Sequence, residues 1–196
     1  MDIFIALVHH PVLNRRDEVV TTSVTNLDVH DFARTSRTYG CAGTFIVTPI
    51  AEQLTLVNRI IGHWAPAGEI DGQSTNPNRS DAFSLVHTSP SLEVTIATIT
   101  EKTGSRPLVI GTSARSEHIA EHHLPLSYDE ARVRFEQNEG SALIVFGTGW
   151  GLTKGALALA DAMLPPIDAV ASRAGYNHLP VRAACAIILD RLCGAR

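Results

Sequence analysis

The sequence has few cysteines, first residues unlike those of a secretion signal, and no long apolar run. Its three cysteines, Cys41, Cys185 and Cys193, form no Cys-x-x-Cys pair and cannot all pair within one chain, which excludes a disulfide framework. Reduced thiols predict a cytoplasmic protein. The first residues carry an acid and no basic segment, unlike a signal peptide. No apolar run approaches the roughly 20 residues that span a bilayer, so we expect no membrane association.

Several common catalytic and nucleotide-binding motifs are also missing. The chain has no G-x-x-x-x-G-K-[ST] phosphate loop and no G-x-S-x-G nucleophile motif. Gly147, Gly149 and Gly151 do not follow the G-x-G-x-x-G spacing of a dinucleotide-binding turn. Three of the nine histidines fall within residues 118–123, without an H-E-x-x-H frame or a cysteine pair nearby. We therefore predict that no metal is bound.

What is present is the composition of a globular domain. The 196 residues are 44% hydrophobic and 18% charged, which predicts a single domain over 1–196. The net charge of −4 argues against a generally basic nucleic-acid-binding surface, although a local basic patch stays open. Short apolar runs at 3–8, 44–47, 108–110 and 142–146 alternate with helical patterns. This alternation predicts an α/β fold with a mostly parallel sheet and helices on both faces.

Capping residues mark where several helices should begin. Asn26 or Asp28 is expected to cap a helix that ends near position 39. Pro90 is expected at the first position of a later helix, where its missing N–H costs nothing. Ser127 and Glu130 have the spacing of a capping box.

The last third of the chain carries the strongest signal for a binding site. The apolar run 142–146 leads into the glycine-rich turn 147–153, and a later loop enters an alanine-rich helix within 176–188. Glycine lets backbone groups approach a ligand closely, so these segments predict a small-molecule pocket built largely of main chain. His9 and His10 end the first apolar run. Because adjacent strand residues point to opposite faces, at most one of them can line a site.

Three segments, taken in order, resemble the motifs of the SPOUT class of RNA methyltransferases. Asn26 followed by R-T-S-R-T-Y-G at 34–40 is similar to the first motif of the ribose-methylating branch. Residues 143–152 resemble the second motif, an apolar strand that ends in a glycine loop. Residues 166–167 and 177–184 resemble the third. The resemblance covers nearly the whole chain and is greatest to the small single-domain bacterial group of S-adenosylmethionine-dependent enzymes.

This resemblance implies a C-terminal trefoil knot, a homodimer, S-adenosylmethionine as cofactor and RNA (tRNA or rRNA) as substrate, methylated at a ribose 2′-oxygen. Matching the motifs gives Arg34, Asn26 and Asn177 as catalytic residues. We expect Arg34 to bind the acceptor's phosphate or the developing oxyanion, since arginine stays protonated, and the asparagines to orient Arg34 or the acceptor. The residues expected to bind the cofactor are Leu108, Ile110, Thr112, Phe146, Gly147, Thr148, Gly149, Trp150, Gly151, Leu152, Ile167, His178, Leu179 and Val181.

Departures from the family pattern leave two alternatives open. The second motif has T-G-W at 148–150 where the ribose-methylating branch has an asparagine and a glutamate, and Pro180 replaces the serine of the third motif. One alternative is a base methyltransferase of the tRNA guanine-N1 type, which shares the fold. The other is a non-catalytic module that binds S-adenosylmethionine or RNA.

Overall fold

The chain folds into strands and helices that alternate as the sequence predicts. A loop predicted over 65–78 lies mostly outside the described residues, and the histidine cluster at 118–123 lies wholly outside them. The computed structural model describes residues 1–64, 76–115, 124–137, 140–169 and 176–195.

The regular elements follow one another with short connections. The strands are β1 (Asp2–Val8), β2 (Val12–Leu13), β3 (Val19–Val20), β4 (Gly43–Val47), β5 (Val86–Ser89), β6 (Leu108–Gly111), β7 (Leu124–Pro125), β8 (Ser141–Gly147) and β9 (Ala162–Met163). The helices are α1 (Asn26–Thr38), α2 (Ala51–Trp64), α3 (Pro77–Phe83), α4 (Leu92–Thr103), α5 (Tyr128–Gln137), α6 (Lys154–Leu157) and α7 (Val181–Cys193). Across the described residues, no helix has the length and apolar character needed to cross a membrane.

Seven strands form one sheet in the order β5-β4-β1-β8-β6-β9-β7, and every neighbouring pair is parallel. β1 lies between β4 and β8, with Ile5 opposite Thr44 on one side and Ile144 on the other. β2 and β3 form a separate antiparallel pair. The structure thus confirms the predicted parallel sheet, whose strand order brings the ends of β1, β6 and β8 together at one edge.

The sheet is buried on both faces. Side chains alternate along β1, so that Ile5 and Leu7 join the core under α1, α5 and α7, whereas Phe4 and Ala6 join the core under α4 and α6. Successive residues of a strand point to opposite faces, and a strand covered on both faces needs apolar residues at every position. This is why β1 is a continuous apolar run.

The N-terminus of α1 is capped by Thr25. The amide of Asp28 donates to Thr25 Oγ1 at 3.2 Å, and the Thr25 amide donates to Asp28 Oδ2 at 3.1 Å, which completes a capping box. The expectation that Asn26 or Asp28 is the cap was therefore wrong. Asn26 is the first helical residue, and Asp28 is the acidic member of the box.

The caps of α4 and α5 give one correction and one confirmation. Ser91 caps α4 by accepting from the Val94 amide at 3.3 Å. Pro90 therefore precedes the cap and is not the first helical residue, as was expected. The predicted box of Ser127 and Glu130 is present: the Ser127 amide donates to Glu130 Oε2 at 2.9 Å, and the Glu130 amide donates to Ser127 Oγ at 3.2 Å.

The three cysteines are free, in agreement with the predicted reduced thiols. Cys41 and Cys185 are buried and Cys193 is half-buried. Burial raises the pKa of Cys41 to about 12 and that of Cys193 to about 11. The thiols therefore stay protonated and have little nucleophilic character.

Candidate functional site

A cavity of about 720 Å³ opens beyond the carboxyl ends of the central strands. His9 follows β1, Thr112 follows β6 and residues 147–151 include the end of β8, and all of them line the cavity. Open parallel sheets bind ligands at this edge. The volume falls within the range of about 300–1,000 Å³ typical of small-molecule sites.

The glycine turn at the end of β8 forms part of the wall. Gly149 and Gly151 have φ values of 60° and 106°, a backbone conformation that favours glycine. A Cβ on Gly149 would lie 2.8 Å from the carbonyl oxygen of Leu13. The Trp150 amide donates to that oxygen at 2.9 Å, and the Gly151 amide donates to Thr148 at 3.1 Å. The Trp150 amide therefore holds the turn against β2, whereas the Gly151 amide closes the turn itself, and both amides are already occupied within the protein.

Another part of the wall comes from residues 165–167 and from the segment that enters α7. Three rings lie together here: the His178 ring is 5.2 Å from that of Tyr176 and 6.2 Å from that of Trp150, measured between centroids. Tyr176 is 67% exposed and Trp150 is 46% exposed. The cavity is thus bordered by exposed aromatic side chains.

His9 is the most deeply buried polar group of the cavity wall, with 1% of its surface exposed. Its Nδ1 lies 3.0 Å from Thr22 Oγ1, and its Nε2 is buried without a hydrogen-bond partner among the described residues. Burial lowers the pKa of His9 to about 4, an effect that outweighs the opposing influence of the nearby Asp28 carboxylate. The imidazole is therefore neutral at physiological pH.

An arginine links the cavity to a groove beside it. Asp28 lines the cavity, and its Oδ1 lies 3.6 Å from Arg182 Nε. Arg182 also donates from Nη1 to Asp31 Oδ2 at 2.7 Å. Asp31, Arg34 and Arg182 line the groove, and Pro180 lies in the walls of both the groove and the cavity. A ligand in the cavity would therefore lie next to whatever occupies the groove.

Most of the residues predicted to bind a cofactor do line this cavity. Leu108, Ile110 and Leu152 do not: Ile110 and Leu152 are buried in the core and Leu108 packs against it. The predicted residues that the structure brings together in the wall are Thr112, Phe146, Gly147, Thr148, Gly149, Trp150, Gly151, Ile167, His178, Leu179 and Val181.

The three residues predicted to be catalytic do not line one common cavity or groove. Arg34 is exposed and lines the groove. Asn26 is exposed at the start of α1 and lines neither the cavity nor the groove. Asn177 accepts a hydrogen bond from the Ala169 amide at 2.9 Å through Oδ1. This bond ties together two parts of the chain that precede α7. The catalytic roles of these residues stay predictions.

Sequence reasoning missed several residues of the wall, including Thr22, Asp28, Arg115, Pro165 and Ala184. The sequence predicted that at most one of His9 and His10 lines a site, but it did not show which one. The rule that ligands bind beyond the carboxyl ends of parallel strands would have selected the residue directly after β1. Among the described residues, no group of three or more His, Cys, Asp or Glu side chains is placed to hold a metal ion.

Together, the parallel sheet and the cavity at its carboxyl edge define an α/β protein with a cavity of small-molecule size beyond its central strands. Residues 2–194 match the model of a family described as SAM-dependent RNA methyltransferase. The match covers nearly the whole chain, and the protein belongs to this family. Its cofactor is S-adenosylmethionine.

Two relatives show how this domain occurs in other proteins. The chain is 40% identical over 193 residues to a tRNA (guanine-N(1)-)-methyltransferase of Oleidesulfovibrio alaskensis, covering 98% of this chain but only 42% of that protein. It is 36% identical over 191 residues to an uncharacterized protein of Aquifex aeolicus, covering 97% of this chain and 88% of that protein. The chain thus spans less than half of the first relative and most of the second.

A solved structure supports the fold at lower sequence identity. The SpoU methyltransferase AviRb from Streptomyces viridochromogenes superposes with a TM-score of 0.56 at 15% identity, covering 98% of this chain and 58% of that chain. The predicted SPOUT-type α/β fold is thereby confirmed. The trefoil knot is a separate property and stays a prediction.

The cavity has the chemistry that S-adenosylmethionine requires. Phe146, Ile167 and Val181 give it apolar surface suited to a purine. His9 and Asp28 add a polar part, in which Nε2 of His9 is a buried polar atom that still lacks a partner. Buried polar atoms in proteins are normally hydrogen-bonded. The residues present therefore fit the cofactor of the family.

Proposed function

We propose that this protein transfers a methyl group from S-adenosylmethionine to a nucleotide of RNA, with the cofactor in the cavity and the acceptor in the adjoining groove. The observation that carries this proposal is the position of the cavity: it lies beyond the carboxyl ends of β1, β6 and β8, and most residues expected to bind the cofactor line it. The shared Pro180 places the groove of Arg34 beside it.

The bound cofactor supplies an activated methyl group on a sulfonium, so the protein has mainly to position the acceptor. Arg34 is exposed in the groove. Its guanidinium suits a phosphate or a developing oxyanion. Asp31 lies on the same helix as Arg34 but is paired with Arg182. Arg34 is therefore the exposed cation of the groove. Asn26 and Asn177 would orient the acceptor or Arg34.

The ribose 2′-oxygen is the acceptor we favour, because the segment that contains Arg34 resembles the ribose-methylating branch. The second candidate is N1 of guanine in tRNA, since the relative at 40% identity carries that name. More than half of that relative lies outside the match, however, so the activity it is named for can reside in the unmatched part. A third possibility is a module that binds the cofactor or RNA without catalysis.

Nucleoside analysis of the product separates these functions. The protein is incubated with radiolabelled S-adenosylmethionine and unmodified tRNA or rRNA, and the RNA is digested to nucleosides for chromatography. We expect label in a 2′-O-methylated nucleoside. Label in 1-methylguanosine would select the base-methylating alternative. Cofactor binding without transfer to any RNA would leave the non-catalytic module.

A pair of arginine variants tests the role of the groove. Arg34→Ala should lose transfer. Arg37→Ala is the matched control, because Arg37 lies on the same helix but is paired with Asp81 at 2.6 Å and does not line the groove. If both variants keep full activity, the acceptor does not depend on Arg34.

A homodimer, a C-terminal trefoil knot and a cytoplasmic location belong to the same proposal. The exposed apolar side chains of Trp150, Tyr176 and Leu179 beside the cavity are typical of a surface that another molecule covers, which supports a second copy or RNA there. The resemblance of residues 143–152, 166–167 and 177–184 to the SPOUT motifs is the support for the knot. Three free cysteines support a reducing compartment. Light scattering after gel filtration tests the dimer.

A further inference from the structure

Nε2 of His9 is a buried polar atom that the folded chain leaves without a partner. Within the described residues it is the only buried side-chain nitrogen or oxygen in that condition. His9 is almost completely buried, directly follows β1 and forms part of the cavity wall. Since a buried polar atom is normally hydrogen-bonded, a ligand in the cavity is the natural partner for it.

A chain of hydroxyl groups determines which nitrogen of His9 carries the proton. Thr148 Oγ1 donates to the Val8 carbonyl oxygen at 3.0 Å. A hydroxyl has one proton to donate, so Thr148 must accept in its contact with Thr22. Thr22 is therefore the donor to Thr148, and donation to the His9 carbonyl oxygen, 3.5 Å away, would use the same single proton.

In either case Thr22 has no proton left for the imidazole. Its oxygen therefore accepts from Nδ1 of His9, 3.0 Å away. Nδ1 carries the hydrogen and Nε2 presents a lone pair. Burial keeps the pKa of this imidazole at about 4, so the lone pair persists at physiological pH. His9 is thus a hydrogen-bond acceptor of fixed orientation.

The surroundings of His9 indicate the chemical class of the donor. Asp28 lines the same cavity and acts electrostatically on His9, although its Oδ1 also lies 3.6 Å from Arg182 Nε. Thr22 adds a hydroxyl. A neutral acceptor beside a carboxylate suits a cationic donor and disfavours an anion. S-Adenosylmethionine carries one such donor, the α-ammonium of its amino-acid portion, whereas its adenosine portion suits the apolar wall formed by Phe146, Ile167 and Val181.

We propose that Nε2 of His9 accepts a hydrogen bond from the α-ammonium of bound S-adenosylmethionine, with the hydroxyls of Thr22 and Thr148 holding the imidazole in the required tautomer. This inference rests on the proposed function, because it assumes that the cavity binds this cofactor. It assigns His9 to ligand binding and to no proton transfer, since a histidine of such low basicity is a poor general base.

Calorimetric titration with two ligands tests this assignment. S-Adenosylhomocysteine retains the amino-acid portion, whereas 5′-methylthioadenosine lacks it. His9→Asn keeps a donor near the position of Nδ1 but removes the acceptor at Nε2. It should weaken binding of S-adenosylhomocysteine by about tenfold or more, the usual effect of a hydrogen bond to a charged group. Binding of 5′-methylthioadenosine should not change.

Two further variants complete the test. His9→Gln places an amide oxygen near the position of Nε2 and should recover part of the lost affinity. His10→Asn is the matched control: His10 is the next residue, does not line the cavity, and its Nδ1 lies 2.9 Å from Thr21 Oγ1. It should bind both ligands like the unsubstituted protein.

Several results would overturn the assignment. If folded His9→Asn protein binds S-adenosylhomocysteine normally, His9 does not contact the cofactor. An equal loss for both ligands would place the contact on the adenosine and not on the ammonium. Unsubstituted protein that binds neither ligand would contradict the proposed function as well. If the His9 variants do not fold, nitrogen NMR of the unsubstituted protein decides, because an unprotonated Nε2 resonance should shift when S-adenosylhomocysteine is added.

Discussion

Acid should destabilise this protein through His9 over a defined pH window. The pKa of His9 is about 4 in the folded state, compared with 6.5 for an unperturbed histidine. Between these values the unfolded chain binds a proton that the folded chain does not, so the free energy of unfolding falls as the pH falls from about 6.5 to about 4. Above the window both states are neutral at this residue, and below it both are protonated.

The size of the effect follows from the difference between the two pKa values. One pKa unit corresponds to about 1.36 kcal/mol, so the shift from 6.5 to about 4 predicts a loss of about 3 kcal/mol across the window. The physical cause is the burial of the imidazole, which disfavours its cationic form. The nearby Asp28 carboxylate opposes burial, since it favours the cation.

Urea unfolding at a series of pH values measures this loss. Burial also lowers the pKa of His30 and of His87, and carboxylates titrate in the same range, so the profile of one protein alone does not isolate His9. The difference between the unsubstituted protein and His9→Asn does, because all other groups are shared. That difference should change by about 3 kcal/mol between about pH 7.5 and about pH 4.

One result would refute this reasoning. If His9→Asn loses stability with falling pH as steeply as the unsubstituted protein, then the folded and unfolded states bind the proton at His9 equally well. The imidazole would then be accessible to water. In that case Nε2 of His9 would not be a buried acceptor without a partner, and the proposed contact with the cofactor would lose its basis.

Three further predictions concern the groove, the packing and the thiols. Arg34→Ala should keep its affinity for S-adenosylhomocysteine while losing transfer, because Arg34 lines the groove and not the cavity; weaker calorimetric binding would contradict this. Gly111→Ala should lower the free energy of unfolding by about 1–3 kcal/mol, since its Cβ would clash with the Met163 sulphur. Gly62 lies in α2 with open space around it, so Gly62→Ala should raise the free energy of unfolding by about 0.5–1 kcal/mol. If urea unfolding shows that the two substitutions change this free energy equally, both predictions are refuted. Burial raises the pKa of Cys41 to about 12, so iodoacetamide should label it in urea but not in the folded protein, as measured by mass spectrometry.

The strands could be predicted because each is covered on both faces and is therefore apolar throughout. Helix starts were harder to place. Thr25, Asn26 and Asp28 all have side chains that can cap a helix, and only the packed structure shows that Thr25 does so while Asp28 completes the box. Pro90 illustrates the same limit, since a proline is equally compatible with the position before Ser91.

Some residues of the candidate site could be predicted from the sequence, and others could not. Residues 147–151 and residues 178, 179 and 181 could be found because they lie in continuous motifs that resemble those of a known class. His9, Thr22 and Asp28 could not, because they come from three different parts of the chain and meet only through tertiary packing. Ile110 was expected in the site because the family resemblance implies that main-chain groups around 108–112 hold the cofactor, but Ile110 lies in the core and does not line the cavity.

The most direct test of the central claim is a calorimetric titration of the purified protein with S-adenosylhomocysteine, repeated on Ala184→Trp. Ala184 is half-buried on α7 and lines the cavity, so an indole there should fill the space. Ala97→Trp, at an exposed position of α4 on the opposite face of the sheet, is the control. Binding by the unsubstituted protein and by Ala97→Trp, together with its loss in Ala184→Trp, is the predicted result. A folded protein that binds no S-adenosylhomocysteine, or an Ala184→Trp variant that binds it normally, would contradict the assignment of this cavity as the cofactor site.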